Sequence, residues 1–383
     1  MNIVKKLPVV CLLVLVSGIS HAHNAAHNAK KMFKEVASLD SVPGISAAYA
    51  DINGIKWAKG FGYADIEKKV KMKANTKLRI GSIAKVITAA GLMRMYEQGS
   101  INFTSDIREL VHEWPEKHAA INLSHLVSHT SGIRHYISYA EFFSNVEYTS
   151  SIDALSIFSD DELLFTPGSD FGYSTFGWTL VSAVMERADN NRNFKNIIRE
   201  EVLAPLEMDN TDFDDNDPII SNRQSSYSYY DEQLQNSPEV NQSYKYAGGG
   251  FLSTPSDVVK FAIAHVRDGY LNEHSLNMLF SKSELGDGTQ VDAGIGWFIG
   301  FSTELKQAKE DAEANQELIR ILNEHPISVS HSGGSVGGSS MMILCLDHKH
   351  AVAVAKNVDG DPQADVFELA LKTLDIFHHN KRR

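Results

Sequence analysis

The sequence predicts an α+β protein: an antiparallel sheet built from both ends of the chain, flanked by helices, with a mainly helical domain inserted between its halves. Three observations carry that expectation. Strand patterning appears early, over residues 44–64. Helical segments and loops fill the middle to about residue 244. Strand patterning returns from residue 247 onward, and a final helix follows.

The elements follow in order. Residues 1–22 carry Lys5 and Lys6, a short apolar core over residues 7–16, and the small residues Ser20 and Ala22. This is the pattern of a signal peptide cut after Ala22. Its apolar run is too short for a membrane anchor. Cys11 stands inside that run and makes a poor lipid-attachment site. The implied destination is the periplasm or the exterior, with no membrane insertion after cleavage. The next stretch, HNAAHNAKK, reads as a frayed segment, and His23 and His27 within it do not make a metal site. Residues 44–64 alternate around Asn53-Gly54 and predict a β-hairpin. A helix should run from Ser82 to about Glu97, with Val86, Ile87, Ala90 and Met93 at helical spacing and Gly99 as its stop. Residues 151–159, 174–188 and 193–203 carry helical patterning. Residues 293–302, 327–347 and 351–357 read as strand-rich stretches, and ADVFELALKTLDIFHH as the closing helix. The charged segment 303–326 reads as a solvated surface helix joining strands. The domain boundaries expected are a discontinuous sheet domain, 23–98 with 245–383, and a helical domain at 99–244. No internal repeat is visible.

Composition narrows the function. The net charge of −12 and the absence of basic patches argue against nucleic acid as a partner. Once Cys11 leaves with the signal, Cys345 stands alone in the apolar run MMILCL. It reads as a buried small hydrophobe, and no cysteine cluster supports zinc.

The chemistry centres on RIGSIAKVITAAG. Ser82 and Lys85 are three apart at the start of a helix, so they share a face. A serine hydroxyl needs a base to become a nucleophile, and a buried lysine can be that base when it is neutral. The helix start also offers free N–H groups for an oxyanion. The plain alternative is a capping serine beside a solvated lysine. Tyr173, at a loop–helix junction in FTPGSDFGYSTFGW, is placed to pass a proton. VSHSGGSVGG offers His331, Ser332 and a glycine-rich strand edge. The same stretch matches G-x-S-x-G at Gly333–Gly337, but a strand follows instead of a helix, so Ser335 is not the nucleophile. HEWPEKH (112–118) fails as a zinc motif because its histidines are six apart and Pro115 interrupts.

In this order, SIAK, YST and HSGG resemble the three active-site motifs of serine β-lactamases and penicillin-binding proteins. They are closest to the class C-related serine hydrolases, which include esterases and D-amino-acid peptidases. LSHLVSHTSGIRHY, YSTFGWTLVSAVMERA and SYKYAGGGFLST are especially similar to a mitochondrial peptidase branch. The likeness covers residues 40–370 and implies a β-lactamase/transpeptidase-like fold. It implies Ser82 as acylated nucleophile, Lys85 as base, Tyr173 as second proton-transfer group, and His331 where lysine is usual. The N–H groups of Ser82 and Gly334 would form the oxyanion hole. Ser332, beside Gly333, would line the edge and meet a substrate carboxylate. Thr175 stands where β-lactamases carry asparagine, which weakens a β-lactamase reading. Histidine at 331 is charged only at mildly acidic pH and would anchor carboxylates poorly. The implied activity is a peptidase on peptide or D-amino-acid-containing substrates, with no metal or cofactor. Small-ester hydrolysis or weak β-lactam hydrolysis is the alternative. A homo-oligomeric, filament-forming scaffold is the alternative of another class.

Overall fold

The computed structural model describes residues 24–382, residue 314 excepted, so the expected signal peptide, Cys11 and His23 lie outside the described residues. Helix α1 spans 24–36 and is followed by strands β1 (Gly44–Asp51), β2 (Gly54–Asp65) and β3 (Val70–Lys71). Helices α2 (Ile83–Glu97), α3 (Thr175–Ala188) and α4 (Pro255–Ala264) come next, then β4 (Phe298–Ile299), α5 (Ser302–Glu310) and α6 (Gln316–Glu324). Strands β5 (Ser328–Ser335), β6 (Gly338–Cys345) and β7 (His350–Lys356) precede the final helix α7 (Val366–Arg382). The seven strands form one sheet in the order β4-β5-β6-β7-β1-β2-β3, with every neighbour antiparallel. The first hairpin turns at Asn53-Gly54, where Gly54 takes φ +103°, as the turn requires.

The sheet is covered on both faces, so its central strands are apolar throughout. Ala48, Ala50, Met342, Leu344, Ala351 and Ala353 pack on the face covered by α2, α3 and α4. Ile45, Ala47, Tyr49, Ile343, Val352 and Val354 pack on the face covered by α1, α6 and α7. The period-2 alternation of a strand divides those residues between the two cores.

Three sequence expectations change. The stretch read as frayed is helix α1, because Ala25, Ala29 and Phe33 fall four apart and bury one stripe. Phe33 stacks on Trp57 and Phe61. The strand expected over 293–302 shrinks to Phe298–Ile299. Gly296 there takes φ +76°, and a Cβ on it would meet Trp178 at 2.9 Å and Ala89 at 3.1 Å, so this backbone folds onto α2 and α3 instead of extending. The segment 303–326 is two helices, not one. Its second, α6, buries Ile321 and Leu322 against the sheet side. Short strands also occur between 99 and 244: Asp212–Phe213 joins Phe251–Ser253 and Leu78–Arg79 in a small sheet.

Candidate active site

Helix α2 begins against the open edge of β5, and glycines make the approach possible. A Cβ on Gly333 would lie 1.9 Å from the carbonyl oxygen of Ile80. One on Gly81, which takes φ +49°, would lie 2.6 Å from that of Gly334. Only bare backbone fits there. Strand β4 pairs with Val329 and Ser330. Ser332 and Gly334 lie beyond it along β5 and are exposed, while His331 and Gly333 are buried.

Ser82 precedes the first turn of α2, and its side chain makes no cap hydrogen bond. The capping alternative is therefore set aside. Its Oγ instead lies 3.1 Å from Lys85 Nζ. Lys85 is fully buried. Its Nζ also lies 3.1 Å from Thr175 Oγ1 and 2.6 Å from the Gly248 carbonyl oxygen. A neutral amine satisfies this set: two N–H groups donate to Thr175 and Gly248, and the lone pair accepts from the Ser82 hydroxyl. Burial, then the nearby Lys245 cation, push the Lys85 amine well below its ordinary range.

Tyr173 sits over this pair. Lys85 Nζ lies 4.9 Å from its ring centroid. Burial raises its phenol, with a hydrogen bond to Ser82 opposing, so the hydroxyl stays protonated. His129 stacks on Tyr173 at 4.4 Å, and its Nδ1 accepts from Ser174 N–H at 3.1 Å. His135 Nδ1 accepts from Thr175 N–H at 3.2 Å. The Ser174 side chain caps α3 by accepting from Gly177 N–H. These bonds fix the loop–helix junction that presents Tyr173 and Thr175.

His331 is buried. Burial, then Lys85, lower it to about 3, so it is neutral even at mildly acidic pH. That corrects the expectation that mild acid would charge it. Its Nδ1–H donates to the Ser332 carbonyl at 2.6 Å, which leaves Nε2 as an acceptor without a partner among the described residues. Ser335 lies at the end of β5, in a hairpin whose next element is β6, as its sequence context indicated.

The cleft of about 570 Å³ is lined by Ser82, Tyr173, Thr175, His331, Ser332 and Gly334, with Tyr136, Phe142 and Phe298 as apolar walls. Sequence reasoning missed Lys245 and Gly248, both in SYKYAGGG. Lys245 Nζ lies 4.8 Å from the ring of Phe142, 5.0 Å from that of Tyr244 and 5.3 Å from that of Tyr136. Burial lowers it to about 7, with Arg79 adding to the shift. The only signal was the run of glycines, which marks close backbone approach without naming the partner: a Cβ on Gly248 would meet Thr175 Cγ2 at 2.7 Å.

With this geometry in hand, comparison with known proteins is informative. The family model described as Beta-lactamase matches residues 30–374. The serine beta-lactamase-like protein LACTB, mitochondrial, of Bos taurus is 25% identical over 430 residues, covering 88% of this chain and 75% of that protein. Among solved structures, the D-amino acid amidase from Ochrobactrum anthropi SV3, complexed with L-phenylalanine amide, superposes with a TM-score of 0.74. It is 21% identical over 93% of this chain and 99% of the other. The octameric penicillin-binding protein homologue from Pyrococcus abyssi gives 0.73 at 22% identity, over 92% of this chain and 77% of the other.

Proposed function

The chain belongs to the beta-lactamase family of serine hydrolases, and on that premise we propose that it is an exported peptidase, acylated on Ser82, for peptides or amides carrying D-amino acids. One observation carries the reading: a fully buried Lys85 holds its Nζ 3.1 Å from Ser82 Oγ while its other contacts go to neutral acceptors.

The steps follow from the placement. Neutral Lys85 takes the Ser82 proton as Oγ bonds to the substrate carbonyl carbon. The oxyanion lies between the N–H groups of Ser82 and Gly334. When the C–N bond breaks, the protonated phenol of Tyr173 gives its proton to the leaving amine and is reprotonated from Lys85. Water then attacks the ester, its proton returns along the same path, and Ser82 regains its hydroxyl.

The substrate preference has its own support. His331 is neutral, and Thr175 turns its hydroxyl to Lys85. The strand edge therefore lacks the fixed cation and the asparagine amide that suit β-lactams. The apolar walls of the cleft fit a hydrophobic side chain, and a structural neighbour is named a D-amino acid amidase. Small esters, which need less assistance to the leaving group, are the second substrate class. Export rests on the sequence of residues 1–22. No helix among the described residues is long and apolar enough to cross a membrane. A homo-oligomer accords with the octameric neighbour. A monodisperse monomer at high concentration in sedimentation would sink that part.

The decisive experiment is intact-protein mass after incubation with a fluorophosphonate and, separately, with penicillin, for wild type and Ser82→Ala. A single fluorophosphonate adduct is expected on wild type and none on the folded variant, with slow or no penicillin addition. Hydrolysis of D-amino-acid amides should exceed ester turnover. A Ser82→Ala protein that still turns over substrate removes Ser82 from its role.

A further inference from the structure

A group of potential metal-ligating side chains lies at the other end of the β5–β6 hairpin from the cleft, on the face covered by α6 and α7. Gly334 pairs with Ser339 at the active-site end, and Ser328 pairs with Cys345 at this one. Six residues of strand, about 20 Å, separate the two ends. Cys345 ends β6, and His348 follows in the turn to β7. His325 follows α6, and His378 lies near the end of α7.

The three histidines converge, and Cys345 lies against two of them. Cys345 Sγ lies 3.4 Å from His325 Nδ1 and 3.2 Å from His348 Nδ1. The ligand nitrogens of His325, His348 and His378 lie within 4.8 Å of one another. Cys345 and His325 are wholly buried, and His378 is buried. His325 Nε2 has no hydrogen-bond partner among the described residues. In a tetrahedral zinc site, an S–N edge measures about 3.5 Å and an N–N edge about 3.3 Å; the two sulfur contacts are close to the first, and binding would draw the three histidine nitrogens, now within 4.8 Å of one another, closer together. Hydrogen bonding alone would require one imidazole to donate to the sulfur while the other accepts its proton.

We propose that Cys345, His325, His348 and His378 form a structural zinc site that ties the end of α6 and the last turns of α7 to the β6–β7 turn. Mixed thiolate and imidazole donors suit a borderline-soft divalent ion, and four protein ligands close the coordination sphere, which makes the site structural. Binding forms one Zn–S and three Zn–N bonds and releases the Cys345 proton to solvent. The neighbouring acidic group is already neutralised: Arg320 donates to Asp375 through both Nη atoms at 2.9 Å and to Glu324 at 3.0 Å. That network docks α6 on α7 and so holds His325 near His378.

The test uses the chelator-stripped full chain, titrated with Zn(II) against a chromophoric chelator and, separately, with Co(II). Wild type is compared with Cys345→Ser and with His348→Ala, whose site is a partly exposed turn that tolerates truncation. Fluorophosphonate labelling of Ser82 checks that each variant is folded. Wild type should take one equivalent of zinc and gain about 4 °C in Tm at saturation. Its Co(II) form should show a thiolate-to-metal charge-transfer band that Cys345→Ser lacks. His348→Ala should weaken zinc binding at least tenfold. The proposal is overturned by absence of stoichiometric binding, by a Co(II) spectrum without the thiolate band, or by binding that both variants leave unchanged.

Discussion

At the scale of single residues, the unusual feature is a pair of buried lysines. Lys85 lies beside Ser82, and Lys245 lies in an aromatic box lining the same cleft. Burial is the larger reason the Lys85 amine lies well below its ordinary range, and the positive charge of Lys245 is the second. The sign of its removal follows. Without that charge the Lys85 ammonium is less disfavoured, its pKa rises, and less free base is present at a given pH. Lys245→Met keeps the chain length and suits the aromatic box. It should move the acidic limb of the kcat/KM profile to higher pH by about 0.5–1 unit, while Tm is held or raised. Lys245 itself titrates at about 7, so the difference between the two proteins should be greatest below that pH. A limb that stays in place would mean that burial alone sets the base.

At the scale of elements, the site depends on how closely α2 meets β5. Gly333→Ala would drive a Cβ into the Ile80 carbonyl, and neither backbone can yield without moving the other. It should cost about 2–4 kcal/mol in urea denaturation and reduce acylation of Ser82. Gly334→Ala, one residue on, meets nothing within 4 Å and should unfold like wild type. Equal losses for both would refute the close approach. The contrast also shows where sequence is informative. Ser82 and Lys85 were legible because both ends of the contact lie on one helical turn, and the β1–β2 hairpin was legible because Asn53-Gly54 dictates its turn. Helix α1 was not, because its buried stripe is two alanines and one phenylalanine among polar residues, and it becomes apolar only against Trp57 and Phe61. The Cys345 cluster and the Lys245 box were illegible for another reason. Their members come from positions 325, 345, 348 and 378, and from 136, 142 and 244, and only the finished sheet and helical layer bring each set together.

At the scale of the whole molecule, distant segments are locked behind the cleft by one buried acid. Asp214, 1% exposed, accepts from Arg79 Nε at 2.6 Å and from Arg223. Arg79 also donates to the Val336 carbonyl at 2.8 Å, in the turn between β5 and β6. The strand before α2, the small sheet of Asp212–Phe213 and the tip of the β5–β6 hairpin thus share one charge centre. Such an arrangement is not evidence of net stabilisation, since burying the charges also costs solvation. Its asymmetry is what can be measured. Asp214→Asn leaves two guanidinium groups without a counter-charge and should cost about 3–5 kcal/mol. Arg79→Met with Asp214→Leu removes the buried pair together and leaves only the more exposed Arg223 to reach water. The double variant should therefore be more stable than Asp214→Asn, yet acylate more slowly than wild type, because the Val336 turn has lost its tether. If the double variant were the less stable of the two, the pair would be a net source of stability. If it acylated at the wild-type rate, the hairpin edge would be held by its strand ladder alone.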